Sequence, residues 1–194
     1  MAAKRTLDVS VAVAALALLL PLFILVAIAI KFESKGPVLF LQRRTGRDSR
    51  AFRIVKFRTM TVQENGHHVI QATSGDRRVT RVGGFLRRTS LDELPQLLNV
   101  LTGSMSLVGP RPHALSHDDY FSRRIDGYGR RFCVRPGLTG LAQVSGLRGE
   151  IHTLDCMARR VSADLDYIER WSLLLDVQLI WRTLCLIGRD QRAY

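Results

Sequence analysis

Cysteine is scarce in this 194-residue chain, and the three present, Cys133, Cys156 and Cys185, lie far apart. They match neither a zinc-ligand spacing nor a CxxC pair, so they read as reduced, intracellular, structural thiols rather than a disulfide framework. There is no G-x-x-x-x-G-K-[ST] loop and no GxGxxG, which leaves a purine NTPase or a Rossmann enzyme unsupported. Internal repeats and low-complexity tracts are also missing. Acid is the scarcer charge, with 17 Asp and Glu against 29 Lys and Arg and a net charge of +12. That balance points to anionic partners: nucleic acid, anionic lipid or phosphorylated substrates. The cations are mostly Arg, which suits bidentate phosphate contacts.

Charge is missing altogether from Val9 to Ile30. As a helix this run is roughly 33 Å long, enough for a bilayer core. A signal peptide would have its basic start in Lys4 and Arg5, but the apolar run exceeds the usual h-region. Two readings stand on the residues: a spanning helix, by length, and a re-entrant helix that dips in and returns. For the second, Pro21 kinks the helix mid-run, and both flanks are basic, Lys4 and Arg5 before and Lys31, Lys35, Arg43, Arg44 and Arg47 after. The positive-inside rule wants both flanks cytoplasmic, which a spanning helix cannot satisfy. Either way the chain is membrane-bound, and nucleic acid is not expected as a partner.

Gly36-Pro37 ends the apolar helix. Val38 to Gln42 reads as a strand, Thr45 to Asp48 as a turn, and Phe52 to Met60 as a second strand pairing back in a hairpin. Seven cations between Arg43 and Arg58 face the single acid Asp48; they form a solvated basic face or a surface against headgroups or a diphosphate. Gln63 to Asp76 reads as a polar loop. Its His67-His68 pair has no second ligand pair at a metal spacing. Arg81 to Arg88 suits a short amphipathic segment at an interface. Met105 to Val108 reads as a buried strand leading into Gly109-Pro110-Arg111-Pro112, where two prolines hold Arg111 on a stiff loop. Arg135 to Gly140 reads as a second loop of that kind, with glycines that leave backbone N–H groups for an anion. Leu154 to Ile168 carries Leu154, Met157, Val161, Leu165 and Ile168 on one helical face, and Trp171 to Ile187 is a further apolar helix.

The segment from Arg87 to Asn99 organises the rest. Ser90-Leu91-Asp92-Glu93 fits a capping box, with Ser90 as N-cap and Glu93 reaching back. Acids in a first turn also complement the helix dipole. A second reading is compatible with the first: an ionised aspartate at such a point can serve as a carboxylate nucleophile. Pro95 confines the helix start to the neighbourhood of the two acids, and Gly103 stops the helix after Leu101.

Four ordered motifs then carry a resemblance. Lys56-Phe57-Arg58-Thr59-Met60, Arg87 to Gln96, Met105-Ser106-Leu107-Val108-Gly109-Pro110-Arg111-Pro112 and Arg135-Pro136-Gly137-Leu138-Thr139-Gly140 together resemble the bacterial sugar transferases, the monotopic phosphoglycosyl transferases that begin exopolysaccharide, capsule and O-antigen assembly. Thr80 to Asn99 and His113 are most similar to the hexose-1-phosphate transferases of exopolysaccharide pathways. The resemblance implies an α+β fold: a re-entrant membrane helix over residues 1–35, broken at Pro21, and a cytoplasmic catalytic domain over 36–194 built of mixed helices, a short β-hairpin and interfacial amphipathic helices, as in the minimal catalytic form. The family's break is commonly Ser-Pro; here it is Leu20-Pro21.

The implied reaction moves a sugar-1-phosphate from a UDP-sugar to undecaprenyl phosphate and releases UMP, at the inner face of the cytoplasmic membrane, among membrane lipids and with room for a homodimer. Asp92 is the implied nucleophile and Glu93 its partner. Mg²⁺ is the implied cofactor, held by Asp92 with the substrate phosphates. Lys56, Arg58, Arg87, Arg88, Arg111 and Arg135 are the expected phosphate-binding cations. Two other functions compete on the residues: a non-catalytic basic membrane anchor, and a hydrolase that uses Asp92 with water as acceptor.

Overall fold

In the computed structural model, residues 2–61, 76–149, 151 and 153–186 are described. The expected loop at 63–76, with His67 and His68, lies outside them except for Asp76.

The apolar run forms one helix, α1 (Ala2–Glu33), about 48 Å long at 1.5 Å per residue. It is long and apolar enough to cross a membrane. Ala12, Val26 and Ile30 are buried, whereas Leu18, Leu20, Leu25 and Phe32 are exposed. Pro21, the expected break, lies inside α1, which is helical on both sides of it. A proline in a helix removes one N–H, here the donor to the Ala17 carbonyl; the flanking turns stay helical.

Polar anchors fasten both ends of α1 to the globular part. At the N-terminal end the Lys4 ammonium donates to Asp176 Oδ2 at 2.6 Å and to the Val108 carbonyl at 3.2 Å. Arg5 donates to the carbonyls of Val100 and Leu101 at 2.5 and 2.7 Å. Asp8 accepts from Ser106 Oγ and the Leu107 N–H. At the C-terminal end Glu33 accepts from the first amides of the next helix, Arg81 and Val82, at 2.7 and 3.0 Å. These are the orphan donors of a helix start, where an acid is favoured.

Strands β1 (Leu39–Thr45) and β2 (Ala51–Phe57) form the expected antiparallel hairpin, in register from Leu39 opposite Phe57 to Thr45 opposite Ala51. The turn holds Asp48 and Ser49 in left-handed backbone. The amphipathic segment is helix α2 (Arg81–Arg88), capped by the Thr80 hydroxyl on the Gly83 amide. A 3₁₀ turn over Leu91–Gln96 leads into α3 (Leu97–Thr102), which stops at Gly103 with φ +83° as expected. Asn99 of α3 docks on the open edge of β2: its Oδ1 accepts from the Val55 N–H at 2.9 Å and its Nδ2 donates to the Arg53 carbonyl at 2.7 Å. That double bond pattern brings Lys56 of β2 beside the two acids.

β3 (Ser106–Val108) pairs in parallel with β4 (Gly137–Thr139). The loop expected at 135–140 therefore contains a strand. Gly137 of this segment serves close packing. A Cβ on Gly137 would stand 2.1 Å from the Gly109 nitrogen, and the amides are used up, Gly109 N–H on Thr139 and Gly137 N–H on Pro110. Helices α4 (Leu115–Ser122), α5 (Leu141–Val144), α6 (Leu154–Glu169) and α7 (Leu173–Leu186) complete the fold. The main core joins Ala12, Ile54, Val100, Met105, Val108 and Leu179. A smaller one joins Phe121, Tyr128, Met157 and Val161. The buried face of α6 carries Met157 and Val161 as expected, with Leu165 and Ile168 packed against the cores, and adds Asp164 and Tyr167; of the expected face only Leu154 is exposed. α7 buries Asp176 and Leu179 and exposes Leu174, Val177, Trp181 and Leu184, so it packs and presents an apolar face at once.

Candidate active site

The capping box does not form. Ser90 sits in left-handed backbone at φ 58°, and its side chain makes no cap bond. Its hydroxyl instead accepts from Arg148 at 3.1 Å. Glu93 does not reach back to Ser90, because two cations from other elements hold it. The Lys56 ammonium donates to Oε1 at 2.7 Å, and the Arg111 guanidinium donates in a fork to Oε1 at 2.5 Å and Oε2 at 2.9 Å. A bidentate Arg and a buried ammonium are stronger partners than a single backbone N–H.

The 3₁₀ geometry of Leu91–Gln96 explains how adjacent acids come to differ. At three residues per turn, neighbouring side chains leave the axis about 120° apart. Both acids are buried, at 8% and 9% exposure. Glu93 is saturated. Among the described residues the Asp92 carboxylate has no hydrogen-bond or ion-pair partner. Their titrations diverge accordingly. Burial pushes the Asp92 carboxyl up to about 6, with the Glu93 charge adding to it and Lys56, Arg87 and Arg111 pulling the other way. Burial also works against ionised Glu93, but Arg111 and Lys56 outweigh it and hold its carboxyl well below the usual range. Burial lowers the Lys56 ammonium, against the pull of Glu93. The result is one carboxylate neutralised by two cations beside a second that no hydrogen bond or ion pair engages among the described residues, in a basic frame. Such a pair can hold a nucleophile apart from its electrostatic support.

The expected phosphate-binding cations divide. Lys56 and Arg111 meet at Glu93, and Arg87 of α2 is near enough to act on Asp92. Arg88 is exposed on α2. Arg58 is a correction: it is buried and donates to the carbonyls of Ser34 at 2.7 Å and Lys35 at 2.9 Å. Those carbonyls follow the C-terminus of α1, where a cation is favoured. Arg135 donates from Nε to the Gly103 carbonyl at 2.8 Å, at the C-terminal end of α3. Arg58 and Arg135 fasten the frame.

Sequence reasoning missed two groups. Arg44 is the first. Burial lowers its guanidinium to about 10, and Arg111 adds to that while Asp118 and Glu93 oppose it. It was visible only as one more cation in a basic run; the period-2 spacing with Gln42, whose side-chain oxygen accepts from Arg44, was the available signal. The second is the buried Arg131–Asp164 pair at 2.8 Å. An acid on the apolar face of α6, one turn after Val161, was its signal.

Among the described residues there is no group of three or more His, Cys, Asp or Glu that could hold a metal, and both Glu93 oxygens are engaged. Asp92 alone remains. That donor set suits Mg²⁺, which is commonly held by one or two carboxylates together with substrate phosphates and water.

The family description "Bacterial sugar transferase" matches residues 1–190. A UDP-glucose:undecaprenyl-phosphate glucose-1-phosphate transferase of Caulobacter vibrioides is 56% identical over 191 residues, covering 98% of this chain and 72% of that protein. Proteins of the same name from Klebsiella pneumoniae and Escherichia coli are 52% identical over 194 residues and 51% identical over 165. The matches cover 100% and 85% of this chain, but only 42% and 36% of those longer relatives. The match to the family runs through every element that builds the site, from α1 to α7, and the chain belongs to the bacterial sugar transferase family.

Proposed function

We propose that this protein transfers a hexose-1-phosphate from a UDP-sugar, with UDP-glucose the first candidate, to undecaprenyl phosphate. The relatives' names support donor and acceptor, and the reaction would open exopolysaccharide synthesis. The observation that carries the mechanism is the buried Asp92 carboxylate, without a hydrogen-bond or ion-pair partner among the described residues, beside a Glu93 already neutralised by Lys56 and Arg111.

Asp92 attacks the phosphorus that bears the sugar. The bond from that phosphorus to the bridging oxygen breaks, and UMP leaves with the electron pair. The phosphosugar stays on Asp92 as an acyl phosphate. A phosphate oxygen of the lipid then attacks the same phosphorus and releases the Asp92 carboxylate, giving the undecaprenyl-diphosphate sugar. One diphosphate replaces another, so no outside energy source is required, and a covalent intermediate divides a hard transfer into two steps. Lys56, Arg87 and Arg111 supply a fixed positive field at the place where charge develops on the leaving phosphate. Asp92 would help hold Mg²⁺ at the site, and the ion would supply charge neutralisation for the substrate phosphates.

The acceptor is a lipid, so the site must lie at a membrane surface. What supports a re-entrant α1 is that both its ends fasten to the same domain: Lys4, Arg5 and Asp8 at one end, Glu33 at the other. A helix crossing the bilayer would carry those ends to opposite faces. On this reading, single cysteines at Ala2 and Ser34 both label with an impermeant maleimide only from the cytoplasmic side of inner-membrane vesicles. Labelling from opposite sides establishes a spanning helix.

The reaction is tested with purified protein, Mg²⁺ and a panel of UDP-sugars. The expected result is UMP release that stops at a single stoichiometric burst without lipid and becomes continuous when undecaprenyl phosphate is added. Continuous release without lipid identifies a hydrolase instead.

A further inference from the structure

Arg111 owes its position to a residue outside the acid cluster. Arg131, in the 3₁₀ turn Tyr128–Cys133, is 3% exposed. Its Nε donates to Asp164 Oδ2 of α6 at 2.8 Å, and its terminal NH2 group donates to the Arg111 carbonyl, also at 2.8 Å. The Tyr128 ring lies 4.9 Å from its guanidinium carbon. One rigid fork therefore joins α6 to the backbone of the residue that clamps Glu93.

We propose that Arg131 is a positioning residue: anchored on Asp164, it fixes the Arg111 carbonyl and so sets the direction from which the Arg111 guanidinium meets Glu93. Pro110 and Pro112 make this linkage stiff. A residue before proline is confined to extended backbone. The Arg111 carbonyl belongs to the peptide bond with Pro112, so its orientation sets the remaining backbone torsion and hence the exit of the side chain. A Lys at 131 keeps the charge, but a single ammonium cannot bridge two acceptors in a fixed fork.

This inference rests on the proposed role of Asp92. When Arg131 no longer holds the Arg111 carbonyl, the Arg111 fork on Glu93 is displaced, and with it part of the fixed positive field where charge develops on the leaving phosphate. The loss falls on the transition state, and so on kcat rather than on KM.

The experiment measures kcat and KM separately for full-length wild type, Arg131→Lys, Asp164→Asn, the double variant and a core-trimmed control on α7, Leu175→Ala, with UDP-glucose and undecaprenyl phosphate. Arg131→Lys is expected to lower kcat by roughly 10- to 100-fold with KM nearly unchanged, the scale of an ångström-sized misplacement. Asp164→Asn, which keeps an acceptor oxygen, lowers kcat in the same way, and the double variant lowers it no further than the larger single. Leu175→Ala lowers the melting temperature and leaves kcat in place. If Arg131→Lys does not fold, Asp164→Asn decides alone. A variant that loses stability like Leu175→Ala, with its kcat unchanged, overturns the positioning role. Turnover that survives Asp92→Asn overturns the underlying reading instead.

Discussion

Replacing Asp92 with Asn abolishes sugar-phosphate transfer and, above pH 6, makes the protein more stable. The loss follows from the chemistry: a carboxamide is not a nucleophile toward phosphorus, and removal of a covalent nucleophile costs on the order of 10⁴-fold or more. The gain follows from burial. The folded carboxyl titrates at about 6 against 3.8 in its ordinary state. The folded protein therefore favours the protonated form. The penalty for ionised Asp92 is absent below pH 3.8, grows between 3.8 and 6, and is complete above 6. Its upper size is about 3 kcal/mol. Asn removes it, which raises the melting temperature by roughly 5–10 °C at pH 8 for a chain of this length, and by nothing at pH 3.5. The same titration sets the activity profile, so kcat/KM of the wild type falls as pH drops through about 6. Thermal melts of both proteins across pH check the first part. Equal melting temperatures at pH 8 contradict the penalty on ionised Asp92.

Glu93→Ala has the opposite effect on stability. It leaves Lys56 buried without its partner and removes both acceptors of the Arg111 fork. Breaking a buried pair from one side costs about 3–5 kcal/mol, because the remaining charge is uncompensated. The Glu93 carboxyl is held well below its ordinary range. Its contribution is therefore present above the unfolded value near 4.5 and is lost as pH falls through the depressed folded value. The destabilisation is expected in full at pH 7 and shrinks in acid. A repacked double variant, Glu93→Leu with Lys56→Met, recovers much of the stability, since apolar replacement of a buried pair is often neutral or better. It does not recover activity. Glu93→Gln isolates the electrostatic part: freed of neutralisation, Lys56 and Arg111 act on Asp92, and the acid limb moves below 6. Unfolding midpoints and pH profiles of these variants separate the two roles, and a Glu93→Ala protein as stable as wild type contradicts the pairing.

The local elements were readable because local rules decide them. Alternation and a turn made the β1–β2 hairpin, Gly103 stopped α3, and helical spacing found α6 and α7. The two acids could be singled out because carboxylates are rare among so many cations. What the sequence concealed was partner choice between distant segments. Ser90 and Glu93 satisfy the spacing of a capping box, yet Lys56 and Arg111 arrive from β2 and the proline loop and win Glu93. Arg58, Arg111 and Arg135 are alike in composition and context. Only the tertiary fold decides that Arg58 and Arg135 meet carbonyls at helix ends while Arg111 meets a carboxylate. Gly137 illustrates the same point in backbone: its small size serves a neighbouring strand end at Gly109.

The covalent role of Asp92 is open to one direct measurement, the intact mass of the full-length protein after incubation with UDP-glucose and Mg²⁺ in the absence of lipid acceptor. The expected result is a single hexose phosphate added to the chain, located at Asp92 by fragmentation, absent from Asp92→Asn and discharged when undecaprenyl phosphate is supplied. An unmodified Asp92 in a preparation that turns over fully, or turnover by Asp92→Asn, contradicts it.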